Sequence, residues 1–568
     1  MRTHATRRMR TAVVITIGFM VGGPDGAQLA QDGSSVASAQ FRSADDCGRP
    51  GRDKGHRKGH ARVCRSSSSS GVARGDFDGD GFGDLAIGVP NEDVPRPRQS
   101  TATDAGQVTI IYGSAIGLAA TVQEGAPPPR PSQVWHQNVG GIADAVEPGD
   151  LFGSALASGD FNDDGFSDLA ASVPGERNAS GVKRGAIHVL FGSASGLTAT
   201  GDRLISGTAF SLSGQPLFLL DSLGWGDFNA DGFGDLVVEA AGTEDGESPG
   251  SPVAAAVVLP GSSTGLNPAT AAAFSIADAS VFVEFLSFVD MRFSAGDIDG
   301  NGFDDLVIGK PGAAFGGAIE ILDGSSSGLT TTGRQIIDQR ASGLSDRGIR
   351  DRFGAAVAVG DFDGDGFADV AVGVPGEGIG ASEGAGSVEV LMGSALGVNP
   401  SDALRLRQGA GGIPGAAQSG DAFGAALAAS DFNGDGRKDL AIGVPGENVG
   451  TLADAGGVNV IYGSTTGLSP TAGPGVQFFT QTASTGIAEA GDEFGSALTA
   501  WKFDSGPQAD LAIGVPSEDV GAIVDAGAVN VLYGSATGLP FFRQFWTADS
   551  LGVPESAETG DRFGAAVY

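Results

Sequence analysis

Asp76, Asp78, Asp80 and Asp84 occupy positions 1, 3, 5 and 9 of the stretch DFDGDGFGD, and Gly81 stands at position 6. Carboxylates on alternate residues of a tight turn bring several oxygens to one point, and glycine permits the sharp bend. Phe82 at position 7 adds its backbone carbonyl, and its ring is expected to pack inward. Six or seven hard oxygen donors in a flexible arrangement suit calcium, whereas magnesium asks for a stricter octahedron and more water. The chemistry this pattern offers is cation capture.

The pattern returns five times with its donors in phase. Asp160, Asn162, Asp164, Phe166 and Asp168 form the second set, and Asp227, Asn229, Asp231, Phe233 and Asp235 the third. Asp297, Asp299, Asn301, Phe303 and Asp305 follow, then Asp361, Asp363, Asp365, Phe367 and Asp369. In the sixth set, Asp431, Asn433, Asp435, Arg437 and Asp439, arginine takes position 7, where only a carbonyl is needed, so the site is expected to survive. A seventh stretch, Lys502 to Asp510, has lysine and glycine at positions 1 and 5. It is predicted to hold no calcium, with the Lys502 ammonium sitting where an ion would. Six calcium ions are thus expected, on 20 aspartates that would otherwise repel one another.

Two competing readings of the first set fall away. An EF-hand needs a bidentate glutamate at position 12, but the six turns carry Ile87, Ala171, Val238, Ile308, Val372 and Ile442 there. Arg74-Gly75-Asp76 looks like an adhesion triplet, yet its carboxylate is already committed as the position-1 donor.

The elements that position these turns are legible from the repeat. The seven stretches begin at 76, 160, 227, 297, 361, 431 and 502, a period of about 70 residues. Ahead of most stands a Phe-Gly segment such as FGSALASGD from Phe152, and after them comes DLAIGVP or a variant. Later in each unit come a segment such as GQVTIIYGSAIGL (106–118) and a final short strand such as QVWHQ (133–137). Short apolar runs punctuated by Gly and Asp give four strands per unit, and helical periodicity is absent. Seven four-stranded antiparallel units over 71–568 predict an all-β, seven-bladed β-propeller. A β-solenoid fits less well, and 70 residues are too few for a self-sufficient sandwich. The first unit lacks its Phe-Gly segment, and the last residues, GDRFGAAVY, supply one. The C-terminal strand is therefore expected to complete the first blade, removing open edges; a truncated eighth repeat is the alternative.

With these motifs in phase, the chain resembles FG-GAP repeat proteins, whose blades build the seven-bladed propeller at the N-terminus of integrin α chains. The resemblance implies that each calcium turn joins the first and second strands on the lower rim. It also implies that ligands and partner subunits meet the upper face. Departures are local: units three and four lack a clean Phe-Gly, and unit three reads EAA where others read GVP. Glu92, Glu176, Glu377, Glu447 and Glu518 recur in the upper segments and are expected to be solvated turn residues; a ring touching a ligand is the alternative.

The formal charge is −34, and residues after 65 hold 63 acidic against 22 basic side chains. Such a polyanion excludes nucleic acid and anionic lipid as natural partners and favours cations. Residues 1–39 read as a signal peptide, Arg-rich then apolar, with cleavage expected between 30 and 39. Residues 40–70 read as a flexible basic lead-in in which Cys47 and Cys64 are expected to form a disulfide, free thiols or a loose metal site with His56 and His60 being the alternatives. No later stretch is apolar enough to span a bilayer, so a secreted, cell-surface or periplasmic protein is expected.

Three functions compete: an exported calcium-binding adhesion or binding module with a protein or glycan ligand on its upper face, a structural envelope protein, and a hydrolase-associated propeller. The last is suggested because similar propellers accompany phospholipase domains. The propeller takes nearly all the chain, its histidines are His136 and His188 alone, and no serine nucleophile elbow appears. A non-enzymatic protein is expected.

Overall fold

The computed structural model describes residues 75–568 apart from 98, 120–129, 213, 243–252, 277–290, 314–315, 342–347, 349, 482–485 and 541–542. The expected signal peptide (1–39), the cysteine-bearing lead-in (40–70) and Arg74 lie outside the described residues.

The described residues form seven antiparallel sheets and no α-helix. In the second blade the strands run outward as Leu156–Gly159, Asp168–Val173, Ala186–Phe191 and Thr198–Ser206. The innermost strands of successive blades pack side by side: Leu156–Gly159 meets Gln215–Gly226, followed by Arg292–Gly296, Ala356–Gly360, Leu427–Ser430 and Ala497–Trp501. The next member is Ala566–Val567, at the far end of the chain, which pairs with Leu85–Val89. Ala86 and Tyr568 exchange backbone bonds of 2.9 Å in both directions. The C-terminal strand therefore closes the first blade, as the missing Phe-Gly segment implied.

Burial follows position in the blade. Second strands such as LAIGV (Leu85–Val89) and DLAIGV (Asp439–Val444) are buried along their whole length, because neighbouring blades cover both faces. Outer strands such as TATGDRLIS (Thr198–Ser206) are polar and half-exposed. The core accordingly lies between blades: Phe77, Ala86, Val108 and Ile110 of blade one pack with Phe152, Leu169, Ala171 and Leu190 of blade two.

One close approach explains the repeat's glycine pair. A side chain on Gly88 would collide with the carbonyl of Gly153, the Phe-Gly glycine of the next blade, and Gly309, Gly373, Gly443 and Gly514 face Gly354, Gly424, Gly495 and Gly564 in the same way. The Phe-Gly glycines take φ of 85–95° at this approach. Blades three and four lack the Phe-Gly turn, and there the facing residues in blades two and three are Ser172 and Glu239. The departures in the repeat are thus the two sides of one missing glycine pair. Blade three answers with a twelve-residue innermost strand, a register shift near Val238 and Ala240, and a fifth strand, Ser211–Leu212.

Candidate metal centre

In blades two to six each acidic turn links the first and second strands, whereas in blade one it leads into Leu85–Val89 and the C-terminal strand supplies the first. In all six the backbone is wound around the turn's own side chains. Asp76 accepts from the N–H of Asp80 at 3.1 Å and of Gly81 at 2.9 Å. The same bonds to positions 5 and 6 recur on Asp160, Asp227, Asp297, Asp361 and Asp431 at 2.9–3.2 Å. Position 3 accepts from the N–H of position 5 through Asp78, Asn162, Asn229, Asp299, Asp363 and Asn433. Position 5 accepts from the N–H of position 7 through Asp80, Asp164, Asp231, Asn301, Asp365 and Asp435. Two residues per turn adopt left-handed backbone: Gly79 (70°) and Gly81 (93°) in the first turn, Asp163 (54°) and Gly165 (91°) in the second. Position 4 thus joins position 6 as a conformational requirement, met by glycine, aspartate or alanine.

Carboxylate oxygens of Asp76, Asp78 and Asp84 lie within 4.8 Å of one another, as do those of Asp297, Asp299 and Asp305 and those of Asp361, Asp363 and Asp365. The second, third and sixth turns, where asparagine replaces one of these carboxylates, show no such triplet among the described residues. The donors are oxygen throughout, which fits a hard divalent cation. Electrostatics points the same way. Burial, with Asp80 and Asp78 close by, pushes the Asp76 carboxyl up to about 6. Burial also raises Asp80, Asp160, Asp227, Asp297 and Asp363. Carboxylates held together in this way are short of positive charge.

Position 9 has a second duty. Asp84 accepts from Phe77 N–H at 2.7 Å and from Gly113 N–H at 2.9 Å, tying its turn to the Gly-Ser turn of the same blade. Asp168, Asp235, Asp305, Asp369 and Asp439 repeat both bonds. So does Asp510 of the seventh turn, at 2.8 Å each. Burial raises Asp84 and Asp168 well above the usual carboxylate range and brings Asp235, Asp305, Asp369, Asp439 and Asp510 to about 7.

The turns also touch one another. The N–H of position 8 donates to the position-1 carbonyl of the preceding blade, and this happens seven times in a closed circle. Ser167 bonds Asp76, Gly234 bonds Asp160, Asp304 bonds Asp227, Ala368 bonds Asp297, Lys438 bonds Asp361, Ala509 bonds Asp431 and Gly83 bonds Lys502, at 2.6–3.3 Å. The position-7 side chains join this collar instead of packing inward as expected. Phe82, Phe166, Phe233, Phe303, Phe367 and Arg437 are half-buried. The Phe166 and Phe367 rings lie against Gly79 and Gly300 at position 4 of the preceding turn, leaving no room for a side chain there. The inward aromatic is position 2, where Phe77, Phe161, Phe228, Phe362, Phe432 and Phe503 are fully buried.

The seventh turn differs as the sequence suggested, with an added cause. Pro507 occupies position 6, where proline's fixed φ forbids the left-handed bend. Lys502 is exposed and makes none of the ion pairs among the described residues, so its ammonium does not take an ion's place inside the turn.

On the opposite face, four of the recurrent glutamates are not solvated turn residues. Glu176, Glu377, Glu447 and Glu518 are buried, and each accepts from a glutamine of the preceding blade: Gln137, Gln339, Gln408 and Gln481, at 2.5–3.3 Å. The signal was available, since a Gln stands just beyond each of these outer strands. At the closure seam the partner is Ala548, and Glu92 instead faces Glu555, which Thr109 and Gln107 hold.

Fold and turns together define a closed seven-bladed propeller with acidic turns between its first and second strands. The FG-GAP repeat family matches residues 69–111, 152–190, 291–322, 353–391 and 423–461, which are units one, two, four, five and six. The chain is an FG-GAP repeat protein whose propeller resembles that of integrin α chains. Phosphatidylinositol-glycan-specific phospholipase D of Rattus norvegicus is 35% identical over 173 residues, covering 30% of this chain and 18% of that protein. Integrin alpha-V of Gallus gallus is 31% identical over 176 residues (30% and 15%), and integrin alpha-PS2 of Drosophila melanogaster 35% over 159 residues (26% and 11%). The chain spans less than a fifth of the length of these relatives.

Proposed function

We propose that this chain is an exported calcium-binding propeller that serves as a binding or cell-adhesion module, with structural calcium in its lower-rim turns. The observation that carries this reading is the double role of position 1: its carboxylate is a donor of the oxygen cluster, and its carbonyl accepts the inter-blade bond. Holding an ion there would hold the seam. With a dissociation constant of ~0.1 mM and ~1 mM calcium, linkage gives roughly 1.4 kcal/mol per site, about 8 kcal/mol for six. That is comparable with a typical net folding stability.

The export reading rests on the sequence of residues 1–39 and on the integrin and phospholipase relatives; no helix among the described residues is long and apolar enough to cross a membrane. A protein or glycan ligand on the upper face, and no nucleic acid, suits the charge and the integrin likeness. The chain itself is read as non-enzymatic: His188 and Asp202, 3.1 Å apart, are fully buried and present no accessible base. The phospholipase relatives support a second reading, a propeller that accompanies a hydrolase. Melting the purified chain in 1 mM calcium and in EDTA tests the calcium reading: a marked fall in Tm with EDTA is expected, and an unchanged Tm would refute it.

A further inference from the structure

Two of the six acidic turns already contain a protein cation. In the sixth, Arg437 Nη2 lies 2.8 Å from Asp435 Oδ2, an oxygen that Asn433 Nδ2 also approaches at 3.4 Å. In the first, Arg130 Nε donates to Asp78 Oδ2 at 2.6 Å, while its Nη2 donates to the Ala194 carbonyl at 2.8 Å and its guanidinium covers the Tyr112 ring at 5.4 Å. Among the ion pairs of the described residues, these two alone reach a metal-position carboxylate. The seventh turn lies between them in the ring and is the one without position-1 and position-5 carboxylates. Turns six, seven and one therefore form a contiguous arc, and it is the arc across which the chain closes.

We propose that Arg437 and Arg130 are built-in competitors for calcium: they neutralise the closing arc without metal and lower the affinity of their own turns, the sixth becoming the weakest of the six. Three carboxylates and one guanidinium leave the sixth turn a net −2, against −4 in the fifth, so a divalent ion gains less there. To use Asp435 or Asp78 fully, calcium must displace a charge-assisted bond. The ring then loads in graded steps, turns two to five responding to calcium and the closing arc depending on it least. This deepens the calcium reading above and rests on it.

The tyrosines supply a local probe. Tyr112, Tyr462 and Tyr533 lie beside the acidic residues of turns one, six and seven, respectively. The terbium emission that Tyr112→Phe and Tyr462→Phe remove therefore reports turns one and six, while calorimetry with terbium counts all sites. In the wild type the emission midpoint should fall at higher ion concentration than bulk binding. Arg437→Gln and Arg130→Gln should each tighten the tyrosine-reported binding roughly fivefold, the scale of a partly exposed charge-assisted pair. Arg437→Phe, which restores the residue type of the other five turns, should act like Arg437→Gln and guards against a folding artefact. Midpoints within twofold of wild type, in variants that keep the wild-type Tm and calcium heats, would overturn the competition. Absence of any calcium heat in the wild type would overturn the calcium reading itself, and the competition with it.

Discussion

Removing Phe563–Tyr568 should open the ring, at a cost set by one buried ring and the backbone bonds around it. Phe563 is fully buried, and deleting a buried phenylalanine costs about 3–5 kcal/mol. Backbone bonds go with it, among them four to distant parts of the chain: Phe563 N–H to Ala526, Gly564 N–H to Gly88, and the exchange between Ala86 and Tyr568. At about 1 kcal/mol each they add roughly 4 kcal/mol. The total, about 8 kcal/mol, lies within the range of a whole domain's net stability. For a propeller of this size the unfolding entropy is about 1 kcal/mol per degree, so a ring melting as one unit should lose about 8 °C. The deletion also bares the Leu85–Val89 edge, whose unpaired N–H and C=O groups are a template for pairing with another chain. Calorimetry in calcium, with size-exclusion chromatography alongside, reads both effects. A truncated chain that melts within about 2 °C of the full one and elutes as a monomer would refute the closure argument.

Two further outcomes follow from the same geometry. Burial first, then Asp492, Glu489 and Asp519, push the Glu518 carboxyl up to about 7 from an ordinary 4.5. The folded chain thus holds that proton more tightly than the unfolded chain, a contribution present below about pH 4.5 and lost as pH rises through 7. Glu518→Gln keeps an acceptor for Gln481 and should gain on wild type by about 1 °C per pH unit between pH 5 and 7 in a Tm series, the variant standing higher at pH 8; parallel curves would contradict it. Installing Lys502→Asp, Gly506→Asp and Pro507→Gly together restores the missing donors and the left-handed bend, and should raise the calcium stoichiometry by one in calorimetry; an unchanged stoichiometry in a folded variant would contradict it.

What the sequence made legible was whatever repeats. Period, strand number and the donors at positions 1, 3, 5 and 9 appear seven or six times over, closure shows as one departure from the repeat, and the fold bears out period, strand number and closure. What it concealed was between blades. The glycine of GVP and that of Phe-Gly look like separate motifs until Gly88 is seen against Gly153. Glu176 reads as a turn residue because its partner, Gln137, lies 39 positions earlier in another blade. Arg130 had no signal at all, since no other unit has an arginine there. The ring of Phe82 reads as core because an aromatic beside an acidic turn suggests it; the core place belongs to Phe77 at position 2.

The seventh turn separates the two jobs of an acidic turn. It keeps Asp510 with both backbone bonds, and the Ala509 N–H still reaches Asp431 while the Lys502 carbonyl still receives Gly83. The seam therefore needs positions 8 and 9 and the carbonyl of position 1, and none of these requires a cation. What turn seven lacks is the set of side-chain oxygens at positions 1 and 5. In the other six turns position 1 serves both, its carbonyl in the collar and its carboxylate in the oxygen cluster. A cation held in that cluster, as proposed, would pull on the same residue that the next blade holds, so each filled turn would steady two blades. The collar passes that constraint onward through every blade but crosses the closing arc through Lys502, where arginine side chains on either side supply the positive charge.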